Sequence, residues 1–376
     1  MTVDGTRTLD VVDAVLDASR LSGLLGCDVR ADHLRIKPDT SVTVSLADPG
    51  TGRSRGWARI LWPGGLSKAD KTSMSAARRG LLVGWRTLPG GLVLQHGEIL
   101  ADPRLRRPLR QAGGRGLVGG RPEETALRYN PLRRLVLRRD DLVVRVLAEA
   151  DPLGRDVHDF VSAHVAVPER VDDGADPHLA VLRYTGDSDL GRRPDPRGSR
   201  TAGALIAALH RSTDQLPGPL REPLSRRVVD PWRQAEAHAG VLDALDRPLA
   251  QRMRALAARA LAGLPGPVVL VHGDFSPDQV LTSGDGGVWL TDFDRAHLAP
   301  AAADLGSWLM TADEPGVQAF LAGYRDAGGH VPSGPQQRTA LAGALLLRAV
   351  EPLREARPGW ARLVGERLDR LEEVLR

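Results

Sequence analysis

The sequence predicts an α+β chain, rich in strands over its first half and in helices beyond about residue 200, on three observations. Short apolar runs at 268–271, 280–281 and 288–290 are separated by polar and turn residues, among them Ser283-Gly-Asp-Gly-Gly287. The last two runs, joined by an Asp-Gly turn, read as a β-hairpin. Extended patterning recurs at 127–138 and 141–147, where Asp140-Asp141 makes the turn, and again at 167–171 and 179–184. Helical spacing marks 153–161, 202–209, 231–245 and 248–261, and sets Trp360, Leu363, Val364, Leu368, Leu371 and Leu375 on one face as core.

The hairpin carries the chemistry. An antiparallel hairpin brings its open ends together, so Gln279, just before its first strand, and Asp292, just past its second, are expected to face one another. Asp274 follows the run at 268–271 and stands five residues before Gln279. Three oxygen-bearing side chains converging on one spot suit Mg²⁺ and phosphoryl transfer. A Ser-His-Asp hydrolase built from Ser276, His272 and Asp274 is excluded by their closeness in sequence and by the lack of a Gly-x-Ser-x-Gly elbow.

His272-Gly-Asp274 with Gln279, followed by Asp292-Phe-Asp294 eighteen residues after Asp274, resembles the catalytic core of the aminoglycoside phosphotransferase family. The match is best over 265–310 and fainter from 121 to the C-terminus. The resemblance implies a two-lobed protein-kinase-like fold that uses ATP or GTP with Mg²⁺ to phosphorylate a small-molecule hydroxyl or, in some relatives, a peptide side chain. It divides the chain into an additional β-rich N-terminal cap at 1–120, a small lobe and hinge at 121–186, and a mostly helical large lobe at 187–376.

It also distributes roles. Asp274 orients the attacking hydroxyl and accepts its proton, and Asp292 holds the metal, since hard cations prefer carboxylate oxygen. Gln279 stands where the family has Asn, with the same amide oxygen on a longer arm. His272 orients the loop, and Asp304, in the segment Ala303-Asp-Leu-Gly-Ser-Trp-Leu309, braces it. Asp294 either assists a second metal or is a solvated loop carboxylate. The backbone near Arg183 and Tyr184 forms the hinge that binds adenine.

The chain departs from the family in its basic residues. Lys37, Lys68 and Lys71 are its only lysines, so 48 of its 51 basic residues are arginine. The small-lobe strand that should carry the phosphate-binding lysine holds Arg145, whose planar fork is not equivalent to an ammonium. The following helix offers Asp156 and Asp159 where a Glu is expected. An echo in the cap complicates the assignment. The pattern at 34–44 and 56–60 parallels that at 127–131 and 142–146, which reads equally as a repeat or as convergent strand patterning. If it is a repeat, Arg59 or Lys37 competes with Arg145 for the phosphate.

Composition narrows the function classes. No run of eighteen apolar residues occurs and 1–7 lacks a signal-peptide pattern, so no membrane association is expected. The single cysteine, Cys27, fits a cytoplasmic location. A net charge of +4 suits a nucleotide. The arginines between 104 and 121 read as a solvated face or as a surface for an acidic partner. They have no aromatic interleaving, so nucleic acid is not expected. Three activities stay open: a small-molecule kinase, a kinase of peptide Ser/Thr, and a pseudokinase that binds nucleotide or partner without turnover.

Overall fold

The computed structural model describes residues 7–227, 231–260, 263–264 and 266–376. The segment 1–6, and Leu261 at the end of the helix expected over 248–261, lie outside the described residues. The cap opens with α1 (Thr8–Leu16) and α2 (Ala18–Leu25). Three antiparallel strands follow, β1 (Arg30–Lys37), β2 (Ser41–Ala47) and β3 (Ser54–Leu61), then α3 (Leu66–Ala77), β4 (Val83–Thr87) and β5 (Val93–Gly97). The sheet order is β1-β2-β3-β5-β4. A helix, α4 (Arg106–Gly114), leads to the small lobe, made of β6 (Ala126–Asn130), β7 (Arg134–Arg139), β8 (Leu142–Leu147), α5 (Gly154–Ser162) and β9 (Leu179–Arg183) in the order β6-β7-β8-β9.

The two sheets repeat one topology: a three-strand meander, a helix, then a return that pairs with the third strand. A bridge between Arg170 and Leu182 stands in the small lobe where β4 stands in the cap. The echo in sequence is therefore structural. Arg59 in β3 lies opposite Thr43 and Gln95, as Arg145 in β8 lies opposite Val136 and Ala180. Arg59 is nevertheless sealed inside the cap, donating to Gln95 Oε1 at 2.8 Å and Thr72 Oγ1 at 3.3 Å. It has no access to a phosphate, which removes it as a rival to Arg145.

Strand alternation sends one face of the small-lobe sheet inward and one toward the cleft. Leu135, Leu137, Val144, Val146, Leu179 and Val181 form the buried face and pack against Trp57 and Ile99 of the cap and Leu105 and Leu109 around α4. The arginine-rich stretch thus forms an amphipathic helix whose apolar side closes the back of the small lobe. The other face carries Arg134 and Arg145. A second core runs without interruption from α1, α2, β1 and β2 of the cap into the C-terminal helices.

The large lobe runs through β10 (Ser188–Asp189), α6 (Pro196–Arg211), α7 (Gly218–Arg226), α8 (Pro231–Asp243) and α9 (Arg247–Ala260). The site strands are β11 (Val268–Val271), β12 (Val280–Thr282), β13 (Val288–Leu290) and β14 (His297–Pro300). Helices α10 (Ala302–Thr311), α11 (Glu314–Asp326), α12 (Gly334–Arg348), α13 (Glu351–Arg354) and α14 (Trp360–Val374) complete it. Asp195 caps α6 by accepting the N–H groups of Arg197 and Gly198, ahead of Pro196 in the first turn. Helices α6 and α11 cross on glycines. A Cβ at Gly203 would lie 2.1 Å from the Phe320 carbonyl oxygen, and one at Gly323 1.9 Å from that of Arg200.

This crossing sets two opposing magnitudes against each other. Alanine is better than glycine inside a helix by about 1 kcal/mol, whereas forcing an atom into packed backbone costs about 1–3 kcal/mol or more. Gly323→Ala should therefore destabilise the protein. Gly365→Ala in α14, with nothing within 4 Å of its Cβ position, should be neutral or stabilising. Urea midpoints of the two variants check this, and a stabilised Gly323→Ala would refute the close crossing.

Candidate active site

The hairpin forms as its turn chemistry demands, with Val280 opposite Leu290 and the Ser283 N–H closing on the Gly287 carbonyl. Its register differs from the expectation by one residue. The Thr291 N–H donates to the Gln279 carbonyl at 3.0 Å, so Thr291 rather than Asp292 faces Gln279. Asp292 is the next residue and adopts the left-handed conformation at φ 65°, ψ 56°. That geometry costs a non-glycine residue about 1–3 kcal/mol, and it turns the chain sharply at the Asp292 carboxylate.

Upstream, Asp274 follows Gly273, whose φ of 81° and whose Cβ position 2.2 Å from the Arg295 carbonyl oxygen admit only glycine. Phe275 anchors the loop from below, stacked on Trp308 at 4.9 Å, which stacks on Phe320 at 4.7 Å. His272 Nε2 lies 2.8 Å from the Thr291 carbonyl oxygen, which can only accept, so the ring proton is on Nε2. It thereby ties the catalytic loop to the end of the hairpin.

Asp304 is the brace. It is buried and accepts from the His272 N–H at 2.8 Å, the Gly273 N–H at 3.0 Å and His210 Nε2 at 3.1 Å. Burial alone would raise its pKa, but these donors overcome it and hold the carboxyl below its ordinary range. His210 Nδ1 in turn meets the Tyr324 hydroxyl at 2.9 Å, and burial pushes that phenol up to about 12.

Asp274 itself is held by cations. Arg348 Nη2 donates to Oδ1 at 2.7 Å, and Arg295 Nη1 lies 3.3 Å from Oδ2. Oδ2 therefore keeps a lone pair free to accept a further donor. Arg145, only slightly exposed, donates from Nη2 to Asp292 Oδ1 at 3.0 Å and to Asp294 Oδ2, and Arg134 adds a bond to Asp294 Oδ2 at 3.0 Å. Burial opposes ionisation of Asp292, yet the two guanidiniums win and hold it well below the carboxylate range. Asp294 shifts upward through burial and the adjoining Asp292 charge, against Arg145. Two carboxylates this close ionise as a coupled pair.

Asp274, Gln279, Asp292 and Asp294 line one cleft of about 1540 Å³, and Arg145 lines a small pocket that also touches Asp292 and Asp294. Arg183 and Tyr184 line neither. Their N–H groups donate to the Glu169 and Asp141 carbonyls, Arg183 pairs with Asp141, and the Tyr184 ring lies under the Arg138 guanidinium at 3.9 Å. The helix expected to partner Arg145 does not do so, since Asp159 pairs with Arg155 on its own helix at 3.2 Å. Asp292, Asp294 and the Gln279 amide present oxygen atoms to the same cleft. Gln279 directs its Nε2 to Asp278 at 3.0 Å, so its Oε1 is left to accept.

Residues 119–342, more than half of the chain, match the model of the phosphotransferase enzyme family. The chain belongs to this family. Among solved structures, a choline/ethanolamine kinase family protein from Mesorhizobium loti is 18% identical over 70% of this chain and 94% of that one, with a TM-score of 0.50. A choline kinase from Streptococcus pneumoniae is 13% identical, covering 72% and 98%, at 0.49. The macrolide 2'-phosphotransferase of Brachybacterium faecium is 21% identical, covering 70% and 98%, at 0.45. No curated protein matches the chain. The fold of this phosphotransferase is the two-lobed kinase-like one, with a β-rich sheet added at its N-terminus.

Several site contacts of the phosphotransferase were not visible in its motifs. Arg295 stands three residues after Asp292 and could have been suspected from that closeness. Arg134, Arg348 and His210 reach the loop from 158, 74 and 94 positions away along their contacts, and no local pattern marks them.

The depressed Asp304 pKa has a stability consequence. Its stabilisation is fully present above the unfolded carboxyl value of about 4 and is lost as pH falls through the lower folded value. Asp304→Asn should lose about 1–3 kcal/mol at neutral pH, the cost of leaving buried donors unmatched. Urea midpoints should show the gap to wild type narrowing toward pH 3. A gap independent of pH would remove the ionised brace.

Proposed function

We propose that the chain is a nucleotide- and Mg²⁺-dependent O-phosphotransferase acting on a hydroxyl of a small molecule. The observation that carries this reading is the gathering of Asp274, Gln279, Asp292 and Asp294 in one cleft, with Arg145 on the strand above. The cleft has room for a nucleotide and an acceptor together. Asp274, fixed by Arg348, presents Oδ2 to the acceptor hydroxyl, aligns it and takes its proton as the oxygen attacks the terminal phosphoryl group. Asp292, Asp294 and Gln279 would hold Mg²⁺. Bound there, Mg²⁺ would neutralise phosphate oxygens.

Arg145 serves as the phosphate contact in place of lysine. Its Nη2 holds the two carboxylates, and the fork turns to phosphate oxygens when nucleotide enters. With the N–H groups of Arg183 and Tyr184 used inside the protein, adenine contact at the hinge falls to their carbonyls. The cap, small lobe and large lobe divide near 120 and 186, and the reducing cytoplasm is the expected location. A pseudokinase is the second reading, favoured by the closed pairing of Arg145 with Asp292 and Asp294.

Turnover of nucleotide with an acceptor separates the two readings, and calorimetry with a non-hydrolysable ATP analogue and Mg²⁺ tests the site they share. Asp292→Ala should abolish Mg²⁺-dependent binding. Asp274→Asn should bind nucleotide like wild type and lose about 10²–10⁴ in turnover. Turnover of Asp274→Asn equal to wild type would discard the mechanism. Arg145→Ala should weaken binding strongly and Arg145→Lys only in part, because the charge survives without the fork. Unchanged affinity in Arg145→Ala would instead return Arg145 to a purely structural part.

A further inference from the structure

We propose that the acceptor carries an anionic group, a phosphate or carboxylate, received by an arginine subsite that the N-terminal cap completes beside Asp274. This rests on the phosphotransferase reading of the cleft. All three parts of the molecule contribute to one wall of it. The cap supplies His33 and Arg35 from β1, the small lobe Arg133 from the turn after β6, and the large lobe Arg295 and Arg354. Arg354 is oriented by buried His238, donating to its Nε2 at 2.9 Å.

These groups are close enough to disturb one another. The Arg133 pKa is lowered by burial, then by Arg35 and Arg295. That of Arg354 is lowered by burial, then by Arg295 and, against Glu351, by Arg133. Burial with Arg128 and Arg354 takes His33 down to about 4, and burial with Arg354 and Arg295 takes His238 down to about 3. Both imidazoles are therefore neutral, and the positive charge resides on the guanidiniums.

Nearby carboxylates offset that charge only in part, Glu149 acting on Arg133 and Glu351 and Asp274 on Arg354. Asp274 is taken by Arg348 and Arg295, Glu351 by Arg348 and Arg367, and Glu149 by Arg104. Among the described residues, the side chains of Arg35 and Arg133 have no hydrogen bond or ion pair. Crowded guanidiniums with only partial counter-charge repel one another, and a phosphate or carboxylate that bridges them relieves this and accepts their forked bonds. The nucleotide end has its own set, because Asp292 is governed by Arg145, Arg134 and Arg128 rather than by Arg35 or Arg354. Arg354 feels the charge of Asp274, the base of the proposed reaction, and Arg35 and Arg133 line the same cleft. A polyamine or aminosugar there would meet like charge.

The test uses the full chain saturated with Mg²⁺ and nucleotide, and matched acceptor probes: a sugar phosphate and a sugar acid, the neutral sugar, and the aminosugar. The first arm measures binding of the non-hydrolysable ATP analogue, and its absence in wild type overturns the phosphotransferase reading itself. With nucleotide bound, calorimetry should give the anionic probes at least about tenfold tighter binding than their neutral and cationic counterparts, as charge-assisted bonds require. Arg35→Ala and Arg354→Ala should each weaken the anionic probes about tenfold or more, with nucleotide affinity within about twofold of wild type. Arg35→Lys should recover part of the loss. Anionic probes that bind no better than neutral ones, or equally well in Arg35→Ala, would overturn the subsite while leaving the nucleotide site standing. A preference for the aminosugar would overturn it as well.

Discussion

The site depends first on one buried carboxylate. Asp304 gathers two consecutive backbone N–H groups of the catalytic loop and the ring of His210, so a single side chain fixes where His272 and Gly273 begin. Everything downstream inherits that placement: the direction of Asp274, the insertion of Phe275 into the aromatic stack, and the bond from His272 to the hairpin end. The ionised form survives burial because each donor meets it directly. His210 also meets the Tyr324 hydroxyl of α11, whose close approach to α6 the glycines at their crossing permit. Helix packing and loop electrostatics are thus one constraint.

The second organising fact is the use of arginine where a point charge would serve. Arg145 reaches two carboxylates with one nitrogen, and Arg134 reaches the same pair from the neighbouring strand. In the ligand-free chain the small lobe is therefore bonded to the large lobe through the very groups assigned to metal and phosphate. On the proposed function, nucleotide binding is an exchange of partners, in which phosphate takes the guanidiniums while the carboxylates turn to the cation. Like charges on Asp292 and Asp294 favour that exchange, since one of the pair is unfavourably ionised next to the other.

Much of the loop could be read from the sequence because its determinants are local. Gly273 is needed for a positive φ, the Asp-Gly turn for the hairpin, and two short apolar runs for its strands. The one-residue offset between Gln279 and Asp292 was not readable, because register depends on where the ladder ends and not on the turn alone. The partners of Asp274 and Asp304 were hidden for a different reason. His210 comes from α6 and Arg348 from α12, and tertiary packing rather than spacing brings them in. The cap showed its repeat through Arg59 and Arg145, but its two attachments could not be foreseen, because both depend on faces that read as ordinary amphipathic patterning.

Those two attachments change the mechanics of the cleft. The back of the small lobe is bonded by apolar contact to the cap, and the cap is continuous with the core of the C-terminal helices. The small lobe is therefore held twice, once through the covalent connection after β9 and once through a bridge of buried side chains. A body held at one point swings, whereas a body held at two slides or strains. Widening the cleft by rotation would bare apolar surface at one of the seams, at about 25 cal/mol for each Å². Hydrophobic burial far from the cleft therefore resists its opening by rotation, and two seams of this kind favour shear along a seam over the flexing of a hinge.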